Sequence, residues 1–324
     1  MRRDRRVNTI GELPGAVLRA RLSGPGLDLV TGGFRTRIQS PLPDVAAGIA
    51  GLYGDFPVAR EGGFADFHVA VTRPRGPRRW HRPQVLFRFD GRSVFKPLPL
   101  NQAFPMLEWG LNWCVTTQVN HFLLFHAAVV ARGERALVMP GQPGSGKSTL
   151  CAALVTRGWR LLSDELAMVD LESGDIHGLA RPVSLKNESL PVLRALAPDA
   201  FLSAPCHDTL KGTVAHLRPP ADSVRRMDEP ARPAWIVFPK FEAGATTALV
   251  PRDRDSAFFE LARNSFNYSA LGTIAFERTV DLVAQSDCHD LTFSDLDDAL
   301  ARLGEIAGGA EPADRVPGPA GAPG

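Results

Sequence analysis

The sequence predicts an α/β fold: a phosphate-loop core preceded by a small β-rich, α+β subdomain. Three observations carry this. From about residue 122, apolar strand-like runs alternate with helix-like segments. A glycine-rich stretch, "GQPGSGKSTL" (141–150), sits between one such strand and one such helix. The first 100 residues are instead rich in Gly, Pro and Arg and show few helical patterns. The chain of 324 residues divides on these grounds into an N-terminal subdomain with a linking helix (1–121), a catalytic-type α/β domain (122–308) and a tail (309–324).

Taken in order, "FADFHVAVTRP" (64–74) reads as a strand, and "VLFRFDGRSVFKPL" (85–98) alternates about an Asp-Gly pair, a hairpin signal. "FPMLEWGLNWCVTTQVNHF" (104–122) has apolar residues at every third or fourth place and predicts a helix, with Phe104, Trp109 and Trp113 as packing residues. "FLLFHAAVVARGERALVMPG" (122–141) predicts a strand, a turn at "RGER" and a second strand that ends at the glycine-rich loop. "KSTLCAALVTRG" (147–158) predicts a helix stopped by Gly158. "WRLLSDELAMVDLESGDIHGL" reads as a strand, two acids, a strand, a turn at Ser-Gly-Asp and a further strand. "AWIVFPKF" (234–241) predicts a strand, "RDSAFFELARNSF" (254–266) a helix, and "LTFSDLDDALARLGEIAGG" (291–309) a C-terminal helix with a serine or aspartate cap. The tail "AEPADRVPGPAGAPG" is too rich in Pro, Gly and Ala to pack and is expected to be disordered.

Composition narrows the function. A net charge of +2 argues against wholesale nucleic-acid or membrane binding. The clusters "MRRDRR" and "RPRGPRRWHRP" read as solvated surface, with a docking patch for an acidic partner as the sharper alternative. Four separated cysteines without a CxxC pair argue against a disulfide framework or zinc site. With no secretory signal and no spanning apolar run, a cytoplasmic protein is expected.

The chemistry concentrates at residues 141–165. Gly141, Gly146, Lys147 and Ser148 fit G-x-x-x-x-G-K-[ST]. By average composition, roughly one chain in a hundred of this length shows the pattern by accident, and the flanking strand and helix lower that chance. Glycines let backbone N–H groups converge on phosphate oxygens, and the following helix adds its positive N-terminus. Gly141, Gln142, Pro143, Gly144, Ser145, Gly146, Lys147, Ser148 and Thr149 are therefore the candidate nucleotide-binding residues. Lys147 is expected at the β- and γ-phosphates and Ser148 at Mg²⁺. Asp164 and Glu165 arrive only 17 and 18 residues after the lysine, at the end of the next strand. Beside a phosphate loop, one carboxylate can hold magnesium and the other can take a proton from an attacking hydroxyl. A turn-capping role for Asp164 is the plain alternative. Lys211, His216 and Arg218 in "LKGTVAHLRPP", with "SLKNES" (184–189), are further candidates to stabilise charge on a moving phosphoryl group, or form an ordinary polar loop.

"FHAAVV", "GQPGSGKSTL", "RGWRLLSDE" and "GDIHGL" together resemble the C-terminal catalytic domain of bacterial HPr kinase/phosphorylase, a mixed-sheet kinase core that phosphorylates a serine of a small carrier protein. The similarity spans about 122–305, is strongest over 122–190 and does not reach the first 100 residues. It implies that His126 matches an upstream histidine, Asp164 a proton-transferring aspartate and Asp175 a metal-associated glutamate, with His177 where the family has arginine. Glu165 replaces a second aspartate, "DIHG" replaces Glu-Ile-Arg-Gly, and "RDRD" replaces Pro-Gly-Arg-Asn. These departures point to an HPr-kinase-related protein rather than HPr kinase itself.

The resemblance thus implies an ATP- and Mg²⁺-dependent kinase acting on a Ser or Thr of a small protein or peptide, in a homo-oligomer as in the related family. The implied catalytic residues are Asp164, Lys147 and His126; the implied metal ligands are Ser148 with Glu165 or Asp175. Two rivals stand beside it. One is an ATP-binding sensor without phosphoryl transfer. The other is a P-loop ATPase, although "AWIVFPKF" ends in Pro-Lys rather than acids and no Ser-Gly-Gly-Gln signature is present. A guanine-reading Asn-Lys-x-Asp is also missing.

Overall fold

The computed structural model describes residues 9–59, 62–76 and 81–308, a mixed α/β structure with three sheets. The basic "MRRDRR" run and the 309–324 tail lie outside the described residues. The N-terminal layer runs α1 (Gly15–Ser23), β1 (Leu27–Thr31), β2 (Phe34–Gln39), α2 (Pro43–Leu52), β3 (Phe67–Thr72), β4 (Gln84–Phe89), β5 (Arg92–Ser93), β6 (Leu98–Pro99) and α3 (Ala103–Gln118). Its strands form one sheet in the order β1-β2-β3-β4-β5, with β6 also on β4. Every pair is antiparallel except β2 with β3. The expected hairpin closes at Asp90 and Gly91, with Phe89 opposite Arg92.

The region is less purely β than its composition predicts, because α1 and α2 flank the first hairpin. In α2, Val45, Ala46, Ile49 and Leu52 are buried on one stripe. Gly48 on that helix lets the Phe104 ring of α3 pack directly on the backbone. The glycine and alanine content that hides the helix in the sequence is what permits this close packing.

The second region continues with β7 (Phe122–Arg132), β8 (Arg135–Pro140), α4 (Lys147–Thr156), β9 (Arg160–Ser163), β10 (Leu166–Asp170), β11 (Ile176–His177) and β12 (Val183–Lys186). It goes on through α5 (Ser189–Leu196), β13 (Cys206–Thr209), β14 (Gly212–Leu217), α6 (Ala221–Arg225), β15 (Arg232–Phe241) and β16 (Ala248–Pro251). It closes with α7 (Arg254–Arg263), α8 (Tyr268–Leu271), α9 (Thr273–Gln285), β17 (Asp287–Phe293) and α10 (Leu296–Gly308). The main sheet has the order β11-β10-β7-β8-β15-β17-β16, and β9 also pairs with β7. Only the β8–β15 and β15–β17 pairs are parallel. A small antiparallel sheet, β12-β14-β13, completes the fold.

One expected boundary moves. The sequence predicts the C-terminal helix from residue 291, but β17 takes residues through Phe293. The helix starts at Leu296, after Asp295 accepts the Asp298 N–H at 2.9 Å. Pairing with β15, with Pro239 opposite Leu291 and Phe241 opposite Phe293, holds "LTF" in extended form.

β7 organises the packing. Its odd residues Leu123, Phe125, Ala127, Val129 and Ala131 face a core covered by α7 and α9. Its even residues divide between two cores. Phe122 and Leu124 join the core of the N-terminal layer, together with Leu166 and Met168 of β10. Ala128 and Val130 join a core with α4, α5 and α10. His126 is the even residue between them, so it stands at the seam where the two layers meet on one sheet face.

The N-terminal layer is fitted tightly to the rest. Gly32, at the β1–β2 turn, has φ +54°, and a Cβ there would lie 2.0 Å from the Gly178 carbonyl oxygen. Only glycine permits both the left-handed backbone and that approach. Arg218 pairs with Asp55 at 2.7 Å across the same boundary.

Candidate active site

The glycine-rich loop 141–146 joins the end of β8 to α4. Gln142, Pro143 and Gly144 are exposed at its tip. Its base is anchored, because Phe241 at the end of β15 donates its N–H to the Ser145 carbonyl at 3.1 Å. Gly146 caps α4 at φ +92°, and a Cβ there would meet the Phe293 ring at 2.9 Å, so the turn into the helix requires glycine. The N–H groups of the first turn of α4 have no acceptor within the helix, which suits that end to an anion.

Lys147 folds back on its own loop. Its Nζ donates to the carbonyls of Gly141 and Gln142, the latter at 3.0 Å. Burial pulls its pKa down, against the opposing pull of Glu165 and Asp164. Ser148 is half-buried and its hydroxyl acts on Asp164, helping to lower that carboxyl's pKa. Thr149 turns elsewhere: its hydroxyl lies 2.6 Å from that of Ser189 and ties α4 to α5.

Asp164 and Glu165 occupy the break between β9 and β10. Both strands run along one edge of β7, with Ser163 opposite Val129 and Leu166 opposite His126. The acids are therefore gripped between two paired segments rather than hung from a strand end. Antiparallel β7 intervenes between β8 and β9, so β9 runs in the same direction as β8 and its end comes level with the loop.

The two carboxylates differ sharply. Asp164 is only 6% exposed; one oxygen accepts the Ser184 N–H at 2.9 Å and the other has no protein partner. Burial, reinforced by the charge of Glu165, pushes its pKa up to about 6. For Glu165, burial works upward too, but His126, Lys186 and Lys211 outweigh it and bring the carboxyl down to about 2. His126 Nε2 lies 3.4 Å from the Glu165 carboxylate. Lys186 ends β12 and Lys211 sits in the β13–β14 turn, its Nζ 5.4 Å from the centre of the Trp109 ring.

The structure thus gathers Lys147, Ser148, Asp164, Glu165 and His126, and adds Lys186 and Lys211. It does not gather Asp175. That residue closes the turn after β10, where the Asp170 N–H donates to its carbonyl, and Asp170 lies opposite Phe122. At about 3.4 Å per residue it stands roughly 13–17 Å along the strand from Glu165. A magnesium–oxygen bond is about 2.1 Å, so Asp175 cannot share an ion with Ser148 and Glu165. His177 stays with it, 4.0 Å from Asp170 and against the Phe122 ring. Arg218 serves another end, holding Asp55, whereas His216 is buried edge-on to Phe104 and lines the pocket beside Asp164.

A narrow pocket opens beside Asp164, between the sheet and α3. Its wall includes Glu108, Trp109, Asn112, Arg181, Ser184 and His216. Arg181 is fixed by Glu108 at 2.9 Å and by Asn112 at 3.0 Å, and Tyr53 donates to Glu108 at 2.7 Å. Sequence reasoning treats Trp109 as core and does not single out Glu108, Asn112 or Arg181, because the partners lie 69–73 residues apart and nothing local announces the pairing.

Fold and site together define a mixed α/β protein with a glycine-rich loop and a carboxylate pair at a layer seam. Comparison with known proteins adds no closer relationship: no family model and no curated protein matches the chain. Among the described residues no helix is long and apolar enough to cross a membrane.

Proposed function

We propose that the protein is an ATP-dependent kinase of the HPr-kinase-related kind, with a P-loop core, transferring the γ-phosphoryl group to a Ser or Thr hydroxyl of a small protein or peptide. The observation that carries the reading is the split of the neighbouring carboxylates beside Lys147. Asp164, with a pKa near 6, is poised to accept a proton at neutral pH, whereas Glu165 stays ionised.

In this reading the loop amides and Lys147 hold the β- and γ-phosphates, with Lys147 exchanging its carbonyl partners for phosphate oxygens. The acceptor oxygen attacks the γ-phosphorus. The bond from that phosphorus to the β–γ bridging oxygen breaks, ADP leaves with the electron pair, and the hydroxyl proton passes to the free oxygen of Asp164. Lys186 and Lys211 offset charge spreading over the transferred group. A hydroxyl and an ionised carboxylate, Ser148 and Glu165, are hard oxygen donors that fit Mg²⁺ completed by phosphates and water. The ion would neutralise charge on the phosphates; His126 keeps Glu165 ionised and oriented.

Labelled ATP tests the proposal in a lysate of the native host. The wild type transfers label to a small protein, Lys147→Ala abolishes both ATP binding and transfer, and Asp164→Asn binds ATP but transfers at least about a hundredfold more slowly. Tight ATP binding by the wild type with no labelled acceptor would instead favour a sensor.

A further inference from the structure

The carboxyl ends of β9, β8, β15 and β17 lie along one edge of the main sheet in that order, with antiparallel β7 between the first two. The glycine-rich loop leaves β8 in the middle. Asp164 and Glu165 follow β9 on one flank. On the other flank β15 and β17 end in two aromatic rings. Phe241 stands opposite Phe293 in the parallel ladder, so both side chains project from the same sheet face. Phe293 shares a core with Leu150, Cys151 and Leu154 of α4, so this is the face that α4 covers.

The two rings differ in exposure. Phe293 is buried against the Gly146 turn, whereas Phe241 is 50% exposed. A single exposed phenylalanine is ordinary on a protein surface. This one is fixed at three points. Its N–H donates to the Ser145 carbonyl at 3.1 Å. The Phe293 ring meets it at 5.8 Å between centroids, with the planes 75° apart. Its Cβ lies 3.4 Å from where a Cβ on Gly146 would stand, so the side chain starts directly beside the phosphate loop. Lys240 and Glu242, on either side of it in the chain, pair with each other at 2.7 Å.

From this placement we infer that Phe241 is the platform on which the base of the nucleotide stacks, and that it sets the preference of the loop for nucleotides over bare phosphate chains. The inference rests on the kinase reading for the ligand and its direction. With the γ-phosphate beside Asp164, a triphosphate laid across the loop carries its nucleoside to the flank away from the acids. From β9 to β15 is three strand spacings, about 14 Å, a span that suits an extended nucleoside triphosphate. The ring waiting there is held against a buried partner, so it loses little side-chain freedom when a base covers it. Every base has a π-face, so stacking orders nucleotides by ring size, purines above pyrimidines, and not by a hydrogen-bond code.

Two probes of equal charge that differ only by the base test it: ATP and ribose 5-triphosphate, titrated with Mg²⁺ into the full chain by calorimetry. The wild type is expected to bind ATP at least about fivefold more tightly, the effect of one stacked base. Phe241→Ala should cut that preference at least about threefold. Phe241→Trp should keep it, and its added tryptophan fluorescence should be quenched by ATP but not by ribose 5-triphosphate, which decides the matter where the alanine variant fails to fold. Equal affinity of the wild type for the two probes overturns the inference and leaves the phosphate loop standing. An undiminished preference in folded Phe241→Ala, or equal quenching by both probes in Phe241→Trp, overturns it too. Binding of neither probe by the wild type sinks the kinase reading and the inference with it.

Discussion

Replacing Asp164 with Asn should make the protein more stable and, in the kinase reading, disable it. Asp164 is buried, its folded pKa is about 6 and its ordinary value is 3.8. The folded state therefore holds a proton more tightly than the unfolded chain, and ionisation costs stability as pH rises through this window. Two pKa units correspond to about 3 kcal/mol once both states are ionised, and the cost falls to about half of that near pH 5. Asparagine removes the charge and keeps an oxygen for the Ser184 N–H. Urea unfolding at pH 8 should thus show a gain approaching about 3 kcal/mol, shrinking to about 1–2 kcal/mol at pH 5. In the kinase reading, phosphoryl transfer should also drop at least about a hundredfold in the same variant. A destabilised variant whose deficit does not change between pH 5 and pH 8 would refute the burial account. Undiminished transfer with ATP bound would remove Asp164 as the base.

In the kinase reading, transfer by the wild type should rise with pH through about 6 as Asp164 ionises and then level off, which a kcat/KM profile checks. Glu108→Gln or Arg181→Leu leaves a buried charge alone and should cost about 3–5 kcal/mol in urea unfolding. Gly32→Ala forces a Cβ into the Gly178 carbonyl at a left-handed position and should cost about 2–3 kcal/mol, read as a fall in Tm. His126→Ala withdraws a partner that holds Glu165 ionised, so in the kinase reading the Mg²⁺ dependence of ATP binding should weaken, most of all as pH falls toward 4.5, the ordinary glutamate value.

Much of the architecture is legible because it is encoded locally. The Asp90-Gly91 hairpin, the β7–β8 hairpin, the loop into α4 and the isolated run of β15 each carry their own apolar period and turn residues. What escapes is encoded between distant segments. "LTF" is a strand because β15 offers it a parallel edge, and α2 is a helix whose glycines serve contacts with α3 and its neighbours. The site divides in the same way. Lys147, Ser148 and the two acids stand within one short stretch and can be found by spacing. Trp109, Asn112 and Arg181 reach the same place only through the fold. Asp175 shows the converse: a similar local segment does not bring a residue to the centre when the strand register carries it the other way.

The lysine bent back onto its own loop has a consequence for discrimination. With Nζ donating to two carbonyls of its own loop, any anion that reaches the ammonium enters as a competitor with occupants that are part of the chain. An ion offering one oxygen to the ammonium displaces one of these and leaves the exchange half complete. A polyphosphate displaces both and still has oxygens for the helix end. In the kinase reading, orthophosphate should therefore compete with ATP far less well than its charge alone would suggest, and a displacement titration in which the two compete on equal terms would contradict this. The threshold for entry is then the number of oxygens a ligand presents at once, and the chain's own carbonyls set it.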